Sequence, residues 1–268
     1  MLFDVTLFSD GSNIQRKPKG HLYLYPLIAI AAMLAIVFVM DLPHMHKPKQ
    51  QLSQTIRIPA GQRAQMDLPD GSVVWLNSQT TLTYDEDFGK KDRKVTLDGE
   101  AYFEVAHNKE IPFYVQTENI KVQVTGTKFD VCSYKGSNSF IARLIEGSIN
   151  LLTNNAKEEK PITSLTKGKY FSMENGKYKT GEMSSNNALA WMQGIYYFDD
   201  VPFKELLDKI ALYYNYKITV KNPKILENYR CTGKFKDLDG IEHILKVIQK
   251  DHPFKYDIDN EHNKITIE

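Results

Sequence analysis

Short runs with a two-residue period dominate the middle of the chain. Between Leu68 and Val131 the segments LPDGSVVWLNS, VTLDGEAYFEV, PFYV and VQVTGTKFDV follow one another, closed by turn dipeptides. Within Glu100 to Val105, Ala101, Phe103 and Val105 point to one side and Glu100, Tyr102 and Glu104 to the other, which predicts half-buried strands. Asp70-Gly71, Asp98-Gly99, Glu146-Gly147 and Asn175-Gly176 each precede such a run, because glycine reaches the positive φ of a tight turn without steric cost. The pattern predicts an all-β domain over 54–183, built as a sandwich or as a short solenoid-like stack.

The period changes after the polar run Ser184-Ser185-Asn186-Asn187. Ile195 to Phe198 reads as a strand, and Asp199, Asp200 and Pro202 as a helix start. Phe203, Leu206, Leu207 and Ile210 take i, i+3, i+4, i+7 positions, Asn215 stops the helix, and Tyr216, Ile218 and Val220 return as a strand. The order repeats with a strand at Cys231 to Phe235, a capping box at Asp239 and Glu242, an apolar stripe at Ile241, Ile244, Leu245 and Ile248, and a strand at Phe254 to Ile258. Asp259-Asn260-Glu261 then turns the chain into a last strand, Lys264 to Ile267. This predicts a small α+β domain of two β-α-β units over 188–268.

A third pattern lies near the N-terminus. Leu22 to Met40 is nineteen residues without a charge. A helix of that length, at about 1.5 Å per residue, nearly spans a hydrocarbon core of roughly 30 Å. The expectation is one transmembrane helix over 22–42, with Pro26 tolerated near its start. Arg16, Lys17, Lys19 and Ala29-Ile30-Ala31 also fit a cleaved signal peptide, but the apolar run continues past that site to Met40. Lys47, Lys49 and Arg57 balance the basic residues ahead of the span, so charge leaves the orientation open. The short segment 1–21 before it favours an inside N-terminus. Residues 43–53 read as a polar linker, and His44-x-His46 within it lacks the third ligand a dedicated metal site needs.

The 268 residues, 42% hydrophobic and 25% charged with a net charge of +1, suit two modest cores and give no basic excess for nucleic acid. Cys132 and Cys231 do not make a disulfide scaffold, and a single bridge between the two domains is the disfavoured alternative. The sequence holds no H-E-x-x-H, G-x-S-x-G, P-loop or G-x-G-x-x-G pattern, so catalytic, cofactor and metal residues are expected to be none. Asp67, Asp70, Glu100 and Glu104 are the carboxylates a glycosidase pair would draw on, although acidic turns and strand faces produce such clusters routinely. Trp75 and the set Tyr102, Phe103, Phe113 and Tyr114 read as core aromatics at least for their inward half, with a sugar platform as the alternative.

Several separated motifs carry a family resemblance. Pro69-Asp70-Gly71-Ser72, Trp75-Leu76-Asn77-Ser78, Gly99-Glu100-Ala101-Tyr102-Phe103-Glu104-Val105, Pro112-Phe113 and Gly126-Thr127-Lys128-Phe129 resemble, in order and spacing, the periplasmic domain of the FecR family. The resemblance covers about 54–152 and implies a single-pass inner-membrane regulator. Such regulators relay the state of an outer-membrane transporter to a cytoplasmic sigma factor, with everything after about Asp41 in the periplasm. The segment from Ala190 to Glu268, with Gly194, Phe198 and Pro202 at four-residue spacing, resembles the C-terminal domain of such sensors. That domain is similar to the short N-terminal domain of secretins and TonB-dependent transducers.

The resemblance implies as partners the N-terminal signalling domain of a TonB-dependent transporter, an ECF-type sigma factor and membrane lipid, and no nucleic acid. Family members place some tens of helical, sigma-binding residues before the membrane, where this chain has Met1 to His21. The motif residues are expected to be mostly structural. The expected partner edge is Ile195, Tyr196, Tyr197 and Phe198, or Ile265, Thr266 and Ile267. A periplasmic carbohydrate-binding or hydrolytic protein and a secretion-complex component are the alternatives.

Overall fold

The computed structural model describes residues 24–45, 52–154, 159–183 and 186–268. The segment 1–21, Leu22 and Tyr23 of the expected span, residues 46–51 of the expected linker, and Ser184 and Ser185 lie outside the described residues. The chain divides into a unit at 1–50 and a unit at 51–268.

The first unit holds the helix α1 (Leu24–Met45), which runs past Pro43 into the stretch read as linker. The side chains of Pro26 and of Ile28 to Phe38 are all exposed. The expected span is met only as this helix, because among the described residues no helix is long and apolar enough to cross a membrane.

Among the described residues the second unit begins with thirteen strands. They are β1 (Ser53–Arg57), β2 (Ala64–Asp67), β3 (Val73–Leu76), β4 (Thr81–Asp85), β5 (Arg93–Glu104), β6 (Phe113–Gln116), β7 (Ile120–Val124), β8 (Lys128–Ser133), β9 (Ser139–Glu146), β10 (Ser148–Thr153), β11 (Pro161–Thr166), β12 (Lys169–Glu174) and β13 (Lys177–Glu182). The long β5 belongs to both halves of one curled sheet. Its first half pairs with β4 and β6, and its second half with β3 and β8. One half-sheet therefore runs β1-β4-β5-β6-β7-β10-β11 and the other β2-β3-β5-β8-β9-β12-β13.

Gly99 sits where β5 passes from one half to the other. Its φ is 136°, and a Cβ there would lie 2.4 Å from Thr80 Oγ1 and 2.6 Å from Thr80 Cα. Asp98-Gly99 is thus not a tight turn, as the dipeptide suggested, but a close backbone crossing inside a strand. Asn175-Gly176 does close a two-residue hairpin between Glu174 and Lys177, with both residues at positive φ.

The inward positions of both half-sheets form one apolar cluster. Phe103 stacks on Phe129 at 5.1 Å and meets Phe113 edge-on at 5.9 Å, and all three are fully buried. Arg93 is buried beside this cluster. It donates to the carbonyls of Ile111, Ala106 and Asn108 and pairs with Asp70 at 3.1 Å, so a buried charge is fully engaged and one turn and one loop are pinned together.

After a 3-10 turn (Asn186–Gln193) the chain forms β14 (Ile195–Pro202), α2 (Phe203–Tyr214), β15 (Lys217–Val220), β16 (Arg230–Lys236), α3 (Gly240–Asp251), β17 (Tyr256–Asp259) and β18 (Lys264–Ile267). The apolar stripes of both helices are buried as expected. Asn215 ends α2 in the left-handed conformation.

Two expectations are corrected. Asp199 and Asp200 lie in a bulge of β14, not in a helix start, and Asp239 makes no side-chain cap because a 3-10 turn already leads into α3. Nor do the strands of each β-α-β unit pair with one another. β14 pairs antiparallel with β16, while β15 pairs parallel with β18, which also takes β17. Periodicity marks which residues face a core and carries no information about which strand becomes the neighbour.

Candidate functional site

The outer face of the β3-β5-β8-β9 half-sheet is not solvated. Tyr102 joins Trp191, Tyr196 and the two helices in a second apolar cluster, and Trp75 and Ile145 pack against it. Trp75 therefore belongs to this joint and not to the core shared by Phe103 and Phe113. Of Glu100, Tyr102 and Glu104, which alternation sets opposite Ala101, Phe103 and Val105, Glu100 and Tyr102 are buried and only Glu104 is partly exposed. The C-terminal part of the unit covers them.

A charged centre lies under that cover. Arg143 Nη1 is 2.5 Å from Asp130 Oδ2 and 3.7 Å from Glu100 Oε1, while Asn77 Nδ2 donates to Glu100 Oε2 at 2.6 Å. Two carboxylates share one guanidinium with side-chain exposures of 0% for Asp130 and 5% for Glu100, so water solvates neither of them. Burial pushes the Glu100 carboxyl up to about 7, with Asp130 adding to the rise and Arg143 and Asn77 opposing it. Burial raises Asp130 as well, against the pull of Arg143. Cys132, beside them, is raised by burial and by Glu100.

The Trp75-Leu76-Asn77-Ser78 motif builds the rest of the joint. Leu76 is core, Asn77 holds Glu100 and accepts from Ser78 N, and the Ser78 hydroxyl donates to the Tyr213 carbonyl at 2.8 Å. Gly61 N donates to the same carbonyl at 3.0 Å, and Gln79 Nε2 to that of Leu212. Tyr134 OH donates to Ser78 O at 2.8 Å. The last carbonyls of α2 are thus satisfied by the β-rich part of the chain as well as by the helix's own cap. Arg63 pairs with Asp237 at 2.7 Å across the same seam.

Four buried polar atoms have no hydrogen-bond partner among the described residues: Arg63 Nη1, Asp130 Oδ1, Trp191 Nε1 and Tyr196 OH. All four belong to this joint. Trp191 lies near enough to favour ionised Asp130 without a well-aligned hydrogen bond, and Arg63 Nη1 meets Asp237 as an ion pair only.

The other motif residues hold turns and core. Asp70 accepts from Ser72 N and Oγ, with Pro69 and Gly71 (φ 81°) completing the turn. Pro112 leads Phe113 into the core, Thr127 Oγ1 donates to Ser148 O at 3.0 Å, and a Cβ on Gly126 would lie 2.4 Å from His107 Nδ1. Of the carboxylates considered for a glycosidase, Asp70 is held by Arg93, Glu104 meets Lys128 and Tyr102, and Glu100 faces Asp130 instead. Both cysteines are free. Among the described residues no cluster could hold a metal ion.

The expected edge Ile265, Thr266 and Ile267 is corrected: β18 is the central strand of its sheet, and Ile265 and Ile267 are fully buried. β14 pairs on one side only among the described strands. Tyr197 is 38% exposed there, while Tyr196 and Phe198 are buried and Ile195 is half-buried.

Asp130, Arg143, Arg63, Trp191 and Tyr213 went unnoticed in the sequence. A signal was present, because Trp75, Tyr102, Cys132, Ile141 and Ile145 occupy positions that alternation assigns to water.

The family model for the FecR protein matches residues 54–150, and that for FecR, C-terminal, matches 195–267. The chain belongs to the FecR family. It is similar to a crystal structure described as "a putative anti-sigma factor" of Parabacteroides distasonis, solved at 2.50 Å, with 25% identity and a TM-score of 0.68 over 81% of this chain and 98% of that one. A second structure of the same description, at 1.65 Å, is 24% identical with a TM-score of 0.68 over 80% of this chain and 98% of that one. No match was found among curated proteins.

Proposed function

We propose that this chain is a membrane-anchored signal-relay regulator that couples an outer-membrane TonB-dependent transporter to sigma-factor-controlled transcription. The observation that carries the reading is the match of both FecR models, in order, to the two parts that meet at the joint. The likeness to structures described as anti-sigma factors supports it. In this reading the apolar helix anchors the chain in the inner membrane with its C-terminal bulk in the periplasm. The transporter's N-terminal signalling domain docks on the C-terminal part, and an ECF-type sigma factor is the cytoplasmic partner.

The open edge of β14 is the docking surface in this reading, since an unpaired strand offers main-chain groups that a partner strand completes. A photo-crosslinking residue in place of Tyr197 tests it in cells. An adduct with a TonB-dependent transporter supports the reading, whereas adducts elsewhere on the surface and none at Tyr197 would move the docking site. Alkaline phosphatase fused after Glu268 is expected to be active, and an inactive fusion contradicts the topology.

A further inference from the structure

Interfaces meant to stay closed leave few buried polar atoms unsatisfied. This joint leaves Asp130 Oδ1, Trp191 Nε1 and Tyr196 OH without a well-aligned partner, beside two carboxylates that have one guanidinium between them. The seam mixes this polar set with the apolar contacts of Trp75, Tyr102, Ile145 and Trp191, and interfaces within a chain that carry such a polar set resemble ones that open. We propose that the joint is a reversible latch governed by one proton held between Glu100 and Asp130, taken up when the C-terminal part docks and released when it parts.

The surroundings decide the sign. On the sheet side Glu100 faces Asp130, Arg143, Cys132 and Tyr134, with Tyr102 and Glu104 further along β5. From the covering elements come Lys209 and Tyr213 on α2 and Tyr196 on β14, the last beside the Arg63–Asp237 pair. Arg143 is the cation in ion-pair contact, while Lys209 sits over the Phe198 ring at 5.8 Å and attracts only at a distance.

With both carboxyls ionised the closed joint carries one uncompensated negative charge out of water, and one proton removes it. Undocking returns Glu100 to water and removes the largest cause of its rise, so its value falls toward the ordinary one. The docked value is the higher, about 7 against 4.5, so docking is fully favoured below the ordinary carboxylate range and this contribution is lost as pH rises through about 7. The inference does not depend on which partner docks on the C-terminal part.

Hydrogen exchange on the full chain tests it. After correction for intrinsic rates, exchange at the last turn of α2 (Ala211 to Tyr216) and at the 3-10 turn before β14 is expected to rise about tenfold or more between about pH 5.5 and about pH 8.5. Exchange at Phe103 and Phe129, in the other core, should stay flat. Glu100→Gln should abolish the pH dependence at the joint, and Asp130→Asn should reduce it. A flat profile in the unmodified chain overturns the latch, as does a Glu100→Gln profile identical to it. If Glu100→Gln does not fold, the unmodified profile and Asp130→Asn decide the matter.

Discussion

The Ser78 hydroxyl donates to the carbonyl of Tyr213, 135 residues away in sequence, and closes the C-terminal end of a helix that belongs to a different core. Helix ends leave carbonyls without intrahelical partners, and here the WLNS motif of the β-rich part supplies one. The bond links a local motif to the docking of a distant element.

Replacing Ser78 by alanine is therefore expected to cost about 1 kcal/mol and lower the melting temperature by about 2–4 °C. Exchange should speed up at Tyr213 to Tyr216 and not at Phe103. A melting temperature that does not move would remove this hydrogen bond from the structural account.

Phe103 is fully buried between Phe113 and Phe129. Phe103→Ala is expected to destabilise the protein by about 3–5 kcal/mol in denaturant titration. Trp75→Ala should instead loosen the joint, raising exchange at the 3-10 turn Asn186–Gln193 more than in the strands around Phe103.

Arg143 holds two buried carboxylates, and its removal strands both. Arg143→Met is expected to cost roughly 3–5 kcal/mol near neutral pH. Protonation relieves the stranded charges, and the docked carboxyls bind protons more tightly than the exposed ones, so the deficit should shrink as pH falls toward about 5. A deficit independent of pH would show that the guanidinium acts through packing alone.

Gly99 has no room for a side chain, because an added Cβ would meet Thr80 backbone at 2.6 Å. Gly99→Ala should cost about 2 kcal/mol or more in thermal unfolding. Gly61→Ala, where nothing lies within 4 Å, meets only the backbone penalty of a positive φ and should cost less.

Much of this architecture was legible in the sequence. Alternation around Glu100 to Val105 located a strand, the stripe Ile241, Ile244, Leu245 and Ile248 located a helix, and Asn175-Gly176 located a hairpin. The motif order pointed to the family. What could not be read was partnership. Glu100 looks like a solvated strand position because alternation reports which side a residue points to, not what covers that side. The pairing of Arg143 with Asp130 and Glu100 needs the register of three strands, and the Ser78–Tyr213 bond needs a docking geometry that local pattern does not encode. β18 looks like a terminal hairpin strand, yet its two apolar residues, Ile265 and Ile267, bury it between β15 and β17.

The regulatory role is tested most directly by transcript sequencing of a host strain lacking this chain, beside the same strain carrying it on a plasmid. Loss of the chain is expected to change a small set of transcripts sharing one sigma-factor promoter class, including a TonB-dependent transporter, with restoration by the plasmid. Indistinguishable transcript profiles under conditions that induce the transporter would contradict a signal-relay function.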